Sequence, residues 1–284
     1  MLLSSFLCLQ QYADRQGETM KSNSRIPLMF IILSLSAAVF FSFDGTSADA
    51  APNTTVQMPA KVSEYIPADS YAGKTYTVQS EKLVALTFDD GPYSPVTDRI
   101  LDVLEENGAV ATFFVVGNRV PSYISSVRRA HSIGCEIGSH TYSHKNLSRL
   151  SRKEIRYEVS ESEKAIFEAI GEKPALLRPP EGGTNKTVQS AVDYPLIMWN
   201  VDTDDWCVRD KEKDCIAVFG NVSDGSIILM HDLYPETAQA VEDIVPKLKT
   251  EGYKFVTVSE LMKLRGIKLE NGKKYFRAIN KATD

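Results

Sequence analysis

The sequence predicts an α/β fold, with parallel strands alternating with helices in a sheet or a barrel. Three observations carry that expectation. Short apolar runs recur, such as residues 84–88 (VALTF) and 111–116 (ATFFVV). Amphipathic segments with helical spacing lie between them. Unusual polar residues collect where the runs end, and α/β folds gather their chemistry at the C-terminal ends of strands.

In order, residues 84–88 read as a strand and 96–107 as a helix with apolar Ile100, Val103 and Leu104, stopped by Gly108. Residues 111–116 form a strand, 121–132 a helix and 136–138 a short strand. Residues 151–170 form a long helix, with Ser151 as N-cap and Glu154 three residues on, a capping box. Gly171 ends it. Strands follow at 176–178, 196–200, 226–230 and 255–257, and helices at 185–192, 237–250 and 259–264. Asp89 and Asp90, His140, Arg178, Asp202 and Asp205, and His231 all fall at or just past predicted strand ends.

The chain has 284 residues, 43% of them hydrophobic, enough for one substantial domain with extensions. Its net charge of -5 argues against a general nucleic-acid binder. Lys21 and Arg25, the apolar stretch 26–41 and the Ala48-Asp49-Ala50 site have the order of a secretory signal peptide. An uncleaved membrane anchor is the alternative, but the stretch is shorter than the ~20 residues a span needs. Met20 is an alternative start. The expected organisation is an extension and signal peptide (1–50), a lead-in (51–81), a catalytic domain (82–265) and a tail (266–284) left open as an edge element or a loose end. The chain is expected to be a monomer.

Of four histidines, His140 and His144 lie four apart in SHTYSH. On a helical turn that spacing puts both imidazoles on one face, within reach of one ion. Two histidines and a carboxylate make a three-ligand site with a position left open, as catalytic zinc sites require. Asp90 is the expected carboxylate. Asp89 would then stay free as a base, kept ionised by the neighbouring cation. As alternatives, the histidine pair decorates a polar loop and Asp-Asp-Gly makes a turn.

Five ordered motifs, TFDDGP (87–92), HTYSH (140–144), RPPEGGTN (178–185), DTDDW (202–206) and LMHD (229–232), resemble those of the polysaccharide deacetylase family, the NodB-homology domain or carbohydrate esterase family 4. The resemblance spans residues 82–264. It implies a distorted (β/α) barrel of about seven strands, fewer than the full eight. It implies hydrolysis of acetyl groups, mainly N-acetyl, on a polysaccharide such as peptidoglycan. It makes Asp89 the general base, and Asp90, His140 and His144 the ligands of a divalent metal, zinc first and cobalt second. His231 becomes the general acid, Arg178 holds Asp89, Asp205 tunes His231, and Trp206 and Leu229 line the acetyl pocket. The backbone N–H of Tyr93 is the expected oxyanion donor.

Other readings stay open. Arg178 serves equally as a structural ion-pair residue, Trp206 as core and Asp202 as a cap or turn residue; His131 reads as structural. Glu181 stands where relatives often carry an aromatic. Cys207 and Cys215 bracket a loop that a disulfide could close in an exported protein, leaving Cys135 a free thiol. Alternative substrates are chitooligosaccharide, xylan or an exopolysaccharide. Alternative classes are a non-catalytic glycan-binding module and a magnesium phosphohydrolase, the latter having no use for the histidines.

Overall fold

The computed structural model describes residues 81–279. The export segment, its cleavage site and the lead-in up to residue 80 lie outside the described residues, as do residues 280–284.

The central strand is β1 (Lys82–Asp89). It pairs in parallel with β6 (Ser226–His231), in a register that sets Asp89 beside His231. Along the opposite edge, β7 (Tyr253–Phe255) pairs with its first residues and β2 (Thr112–Val115) with its last. The order continues through β3 (Glu136–Ser139) beyond β2 and β5 (Val201–Asp202) beyond β6. Single parallel bridges carry the curl onward, from Ser139 to Leu177 and from Leu177 to Leu196 in β4 (Leu196–Ile197). β8 (Lys274–Tyr275) pairs with β4. The result is the expected distorted (β/α) barrel.

Strand period decides which residues reach the site. Val84, Leu86 and Phe88 of β1 face one core with Ile228 and Met230 of β6. That core also holds Ile100 and Leu104 of α1 (Ser94–Asn107) and Val241 and Ile244 of α7 (Pro235–Thr250). Leu83, Ala85 and Ile227 face the second core. Alternation therefore turns Thr87, Asp89, Leu229 and His231 to the same side as that second core.

The long helix α3 (Arg152–Ile170) has both halves of its capping box, and Gly171 closes it at φ 77°. Elsewhere the structure departs from expectation. Residues 117–123 form a 3₁₀ turn before α2 (Ile124–Ser132). The strand expected at 176–178 is reduced to the single residue Leu177, bridged on both sides, and that at 196–200 splits into β4 and β5. The strand expected at 255–257 lies earlier, at β7, and β8 follows it. After α4 (Lys186–Ala191), two unexpected helices follow β5: α5 (Asp205–Val208) and α6 (Lys211–Asn221). The charged run RDKEKD hides α6, yet Asp210 caps it through Lys213 N–H, and Asp214, Cys215 and Val218 form its buried face. Cys215 is therefore a free, buried thiol, so the Cys207–Cys215 disulfide is absent; Cys135 is also free, as expected. The described part of the tail, residues 266–279, is no loose end. Tyr275 and Ala278 are buried after α8 (Val258–Leu264), so the folded unit extends past residue 265.

Asp214 is fully buried, and neither carboxylate oxygen has a hydrogen-bond partner. Burial, then the charges of Asp205, Asp210 and Glu236, push its pKa up to about 8. The unfolded side chain ionises near ~3.9, so folding is opposed increasingly as pH rises from about 4 to 8. Asp214→Asn is expected to stabilise the fold by on the order of 3 kcal/mol at pH 8 and hardly at all at pH 4. Denaturant titrations of both proteins at the two pH values check this; a gain that does not grow with pH contradicts it.

Candidate active site

Asp89 ends β1 and is almost wholly buried. Arg178 Nη1 donates to Asp89 Oδ1 at 2.8 Å and to Thr87 Oγ1 at 2.7 Å. Its Nε and Nη2 donate to the carbonyls of Ile197 and Met198. The guanidinium, 0% exposed, also lies 4.2 Å from the centre of the Phe114 ring. A buried charge must be paired and hydrogen-bonded, and this one is. The fork leaves Asp89 Oδ2 facing His140 Nε2 at 3.7 Å.

The histidine motif is not a helical turn. Residues 140–144 form an irregular bend after β3, with Thr141 and His144 in left-handed backbone (φ 67° and 57°). Neighbours hold the bend from both sides. Gly117 N–H and Asn118 N–H donate to the carbonyls of Thr141 and Tyr142. From α3, the buried Glu158 accepts Ser143 N–H at 2.7 Å and Ser143 Oγ–H at 2.6 Å. Glu158 escaped the sequence reading because it sits among surface-like charges; its signal is its place on the apolar stripe of α3 with Ile155, Val159 and Ser162.

Asp90, also left-handed at φ 74°, brings Oδ1 to 3.0 Å from His144 Nε2 and 3.4 Å from His140 Nε2. Burial raises the Asp90 pKa, but the two histidines, when they carry protons on the nitrogens that face it, outweigh burial and hold the carboxyl well below its ordinary range. His140 Nδ1 lies 2.7 Å from the Arg178 carbonyl. That acceptor requires the proton on Nδ1, leaving the neutral ring's Nε2 as a bare lone pair. Asp90 Oδ1 is buried without a properly aimed hydrogen bond. Electron-rich atoms of Asp90, His140 and His144 thus converge, all within 4.8 Å of one another. Such a donor set fits a divalent cation. Three left-handed residues without glycine's freedom mark the place as one where strain accompanies function.

Opposite stands His231, at the end of β6. Its Nδ1 donates to Asp205 Oδ1 at 2.6 Å. Asp205 also accepts from the N–H groups of His231 and Trp206 and from Thr237 Oγ1. Burial lowers the His231 pKa, but Asp205, then Asp90 and Asp89, raise it to about 9. The imidazolium is therefore the form at neutral pH, and Nε2 is the nitrogen left for the cavity.

A cavity of about 560 Å³ joins these groups. Asp89, Asp90, His140, His144, Trp206, Leu229 and His231 line it, with Glu181, Trp199, Asp202 and Tyr234. Arg178 lies behind Asp89 and Asp205 behind His231. Tyr93 does not line it. Its N–H donates instead to Thr97 Oγ1 at 2.8 Å, and Thr97 in turn donates to Asp232. The expected oxyanion donor is thus engaged at the start of α1. Asp202 accepts from Trp199 Nε1 and Asp204 N–H, as its turn reading required, while also facing the cavity. His131 lies apart, 3.6 Å from Glu172.

A profile of the family described as polysaccharide deacetylase matches residues 77–197. The chain is 39% identical over 212 residues to the peptidoglycan-N-acetylglucosamine deacetylase PgdA of Listeria monocytogenes, covering 75% of this chain and 45% of that protein. This chain thus spans under half of that relative. It is 36% identical over 194 residues to a peptidoglycan-N-acetylglucosamine deacetylase of Bacillus cereus, covering 66% of this chain and 91% of that protein. Among solved structures, a family 4 acetyl xylan esterase from Clostridium thermocellum in complex with cobalt superposes with a TM-score of 0.66 at 38% identity, over 69% of this chain and 98% of that one. Peptidoglycan deacetylase PdaC of Bacillus subtilis superposes with a TM-score of 0.65 at 40% identity, over 66% and 93%. Sequence and fold agree with the geometry, and the chain belongs to the polysaccharide deacetylase family.

Proposed function

We propose that this protein is an exported, metal-dependent deacetylase that hydrolyses N-acetyl groups of N-acetylglucosamine in peptidoglycan. The observation that carries the reading is the meeting of Asp90, His140 and His144 with Asp89 on one side and His231 on the other, in one cavity. Zinc is the preferred ion because two imidazoles and a carboxylate leave a position open. A divalent cation there would polarise the acetyl carbonyl and lower the pKa of water.

The chain's residues supply the proton traffic. Asp89, aimed by Arg178, takes a proton from the attacking water. The water oxygen adds to the acetyl carbon, and the carbon–nitrogen bond then breaks. His231, kept protonated by Asp205, gives its Nε2 proton to the departing amine, which is a poor leaving group without it. Acetate and a sugar amine result. Trp206 and Leu229 form the apolar wall for the acetyl methyl. Export rests on the basic, apolar and small-residue order of residues 21–51, which lie outside the described residues.

The names of two relatives favour N-acetylglucosamine in peptidoglycan. Another, 40% identical, is named for N-acetylmuramic acid, and one for chitin. The test is acetate release by the zinc- or cobalt-loaded chain from peptidoglycan, N-acetylmuramic acid-containing fragments, chitooligosaccharides and acetylated xylan. The expected result is fastest release from N-acetylglucosamine in peptidoglycan. Glycan binding with no acetate from any substrate would instead support a binding module.

A further inference from the structure

Glu181 has no place in the proton traffic above, yet it stands on the cavity wall beside His144. Its backbone is left-handed, at φ 55° and ψ 17°. A side chain other than glycine, asparagine or aspartate is disfavoured there by about 1–2 kcal/mol. The two glycines that follow are closely packed. A Cβ on Gly182 would meet Met198 at 3.0 Å, and one on Gly183 would strike the Asn146 side chain at 2.3 Å. The segment is thus wedged between the Met198–Trp199 pair and Asn146, with a carboxylate on it that backbone preference does not explain.

Asn146 aims that carboxylate. Its Oδ1 accepts from Ser148 N–H at 3.1 Å and Ser148 Oγ–H at 2.6 Å, which fixes which end of the amide carries the donors. Nδ2 then donates to Glu181 Oε2 at 2.7 Å. Among the described residues no lysine or arginine forms an ion pair with Glu181, whereas Asp89 is matched by Arg178 and Asp205 by His231. Glu181 therefore presents an oriented, uncompensated negative charge at the rim.

From this we infer that Glu181 determines specificity by reading the sugar next to the reacting one, favouring a neighbour whose amine is already free. Such an amine is an ammonium at neutral pH, the natural counterpart of an oriented carboxylate. The inference rests on the proposed deacetylation: where N-acetylglucosamine units are consecutive, as in a chitin oligomer, each hydrolysis converts the neutral acetamide of a neighbour into a cation. Successive reactions on such an oligomer would then become easier until amines accumulate at the reacting position itself.

The decisive comparison is a ratio within each protein, so that any general effect of the substitution on the nearby ligand His144 cancels. Glu181→Gln keeps the shape and the acceptor for Asn146 and removes only the charge. The substrates are a fully acetylated chitin pentamer and one carrying free amines at alternate sugars. The metal-loaded full chain should favour the aminated pentamer in kcat/KM by about threefold at low salt, the scale of an exposed charge pair. The preference should fall toward one in high salt and in Glu181→Gln. An equal ratio in the two proteins overturns the inference.

Binding of the fully deacetylated pentamer, which has no acetyl group to lose, gives a second readout by calorimetry. It should be tighter for the parent than for Glu181→Gln. If no substrate releases acetate, the deacetylase reading fails, and this measurement still decides the role of Glu181; equal affinities overturn it.

Discussion

Asp89→Asn is expected to keep the bound divalent cation while losing about 10²–10⁴-fold in kcat, whereas His140→Ala loses both. The split follows from geometry. Asp89 gives Oδ1 to Arg178 and holds Oδ2 3.7 Å from His140, outside the converging set of Asp90, His140 and His144. An asparagine can still accept from Arg178 through its amide oxygen, so the guanidinium keeps its bonds but faces no charge. Breaking a buried ion pair on one side costs about 3–5 kcal/mol, so circular dichroism and a melt must first confirm that the variant is folded. Alanine at 140 removes a donor atom of the set and the anchor from its Nδ1 to the Arg178 carbonyl. Anchors of that kind set the tautomer and direction of a ligating imidazole, so the loss reaches His144 and Asp90 as a group. Metal content by elemental analysis, alongside acetate release, separates the two. Loss of the ion from folded Asp89→Asn would move that residue from base to ligand.

The sequence carried these residues legibly because chemistry constrains them locally. Asp89 follows a two-sided apolar strand, and strand period alone points it to the same face as Thr87. His231 follows another such strand, and parallel register brings the two side by side. What the sequence hid was whatever depends on contacts between distant segments. His140 and His144 share an ion through left-handed bends rather than through helical spacing. Their bend is fixed by Glu158 on α3, and i, i+4 spacing says nothing of that partner. Helix α6 was obscured by its charged face, and with it the inward turn of Cys215 that excludes a bridge to Cys207. The N–H of Tyr93 was the expected oxyanion donor, but it is given to Thr97, one helical turn on, which is itself oriented by Asp232 in the turn just past β6. Local periodicity encodes which way a side chain points; it does not encode which donors are already taken.

His231 supplies the sharpest pH signature. A general acid must carry its proton when the leaving group departs, so the rate should hold below the His231 pKa and fall as pH rises through it, a limb near 9 in the cation-free protein and lower where a cation offsets the charge of Asp90. Asp205 is the main support of that value, through its charge and its 2.6 Å bond to Nδ1. The same linkage acts on stability: the folded pKa lies above the ordinary ~6.5, so the contribution of this pair is complete below pH ~6.5 and disappears as pH rises past 9. Asp205→Asn keeps an acceptor and removes the charge. The basic limb of kcat should then move toward the ordinary imidazole value, leaving little protonated acid at pH 8. His231→Ala, lacking the acid altogether, should lose about 10²–10⁴-fold and show no limb of this origin at all. Because an ester leaves as an alkoxide stabilised more easily than an amide nitrogen, the loss should be smaller on an O-acetylated substrate than on an N-acetylated one. A basic limb unmoved by Asp205→Asn, in a variant that binds glycan normally, would assign the departing proton to some group other than His231.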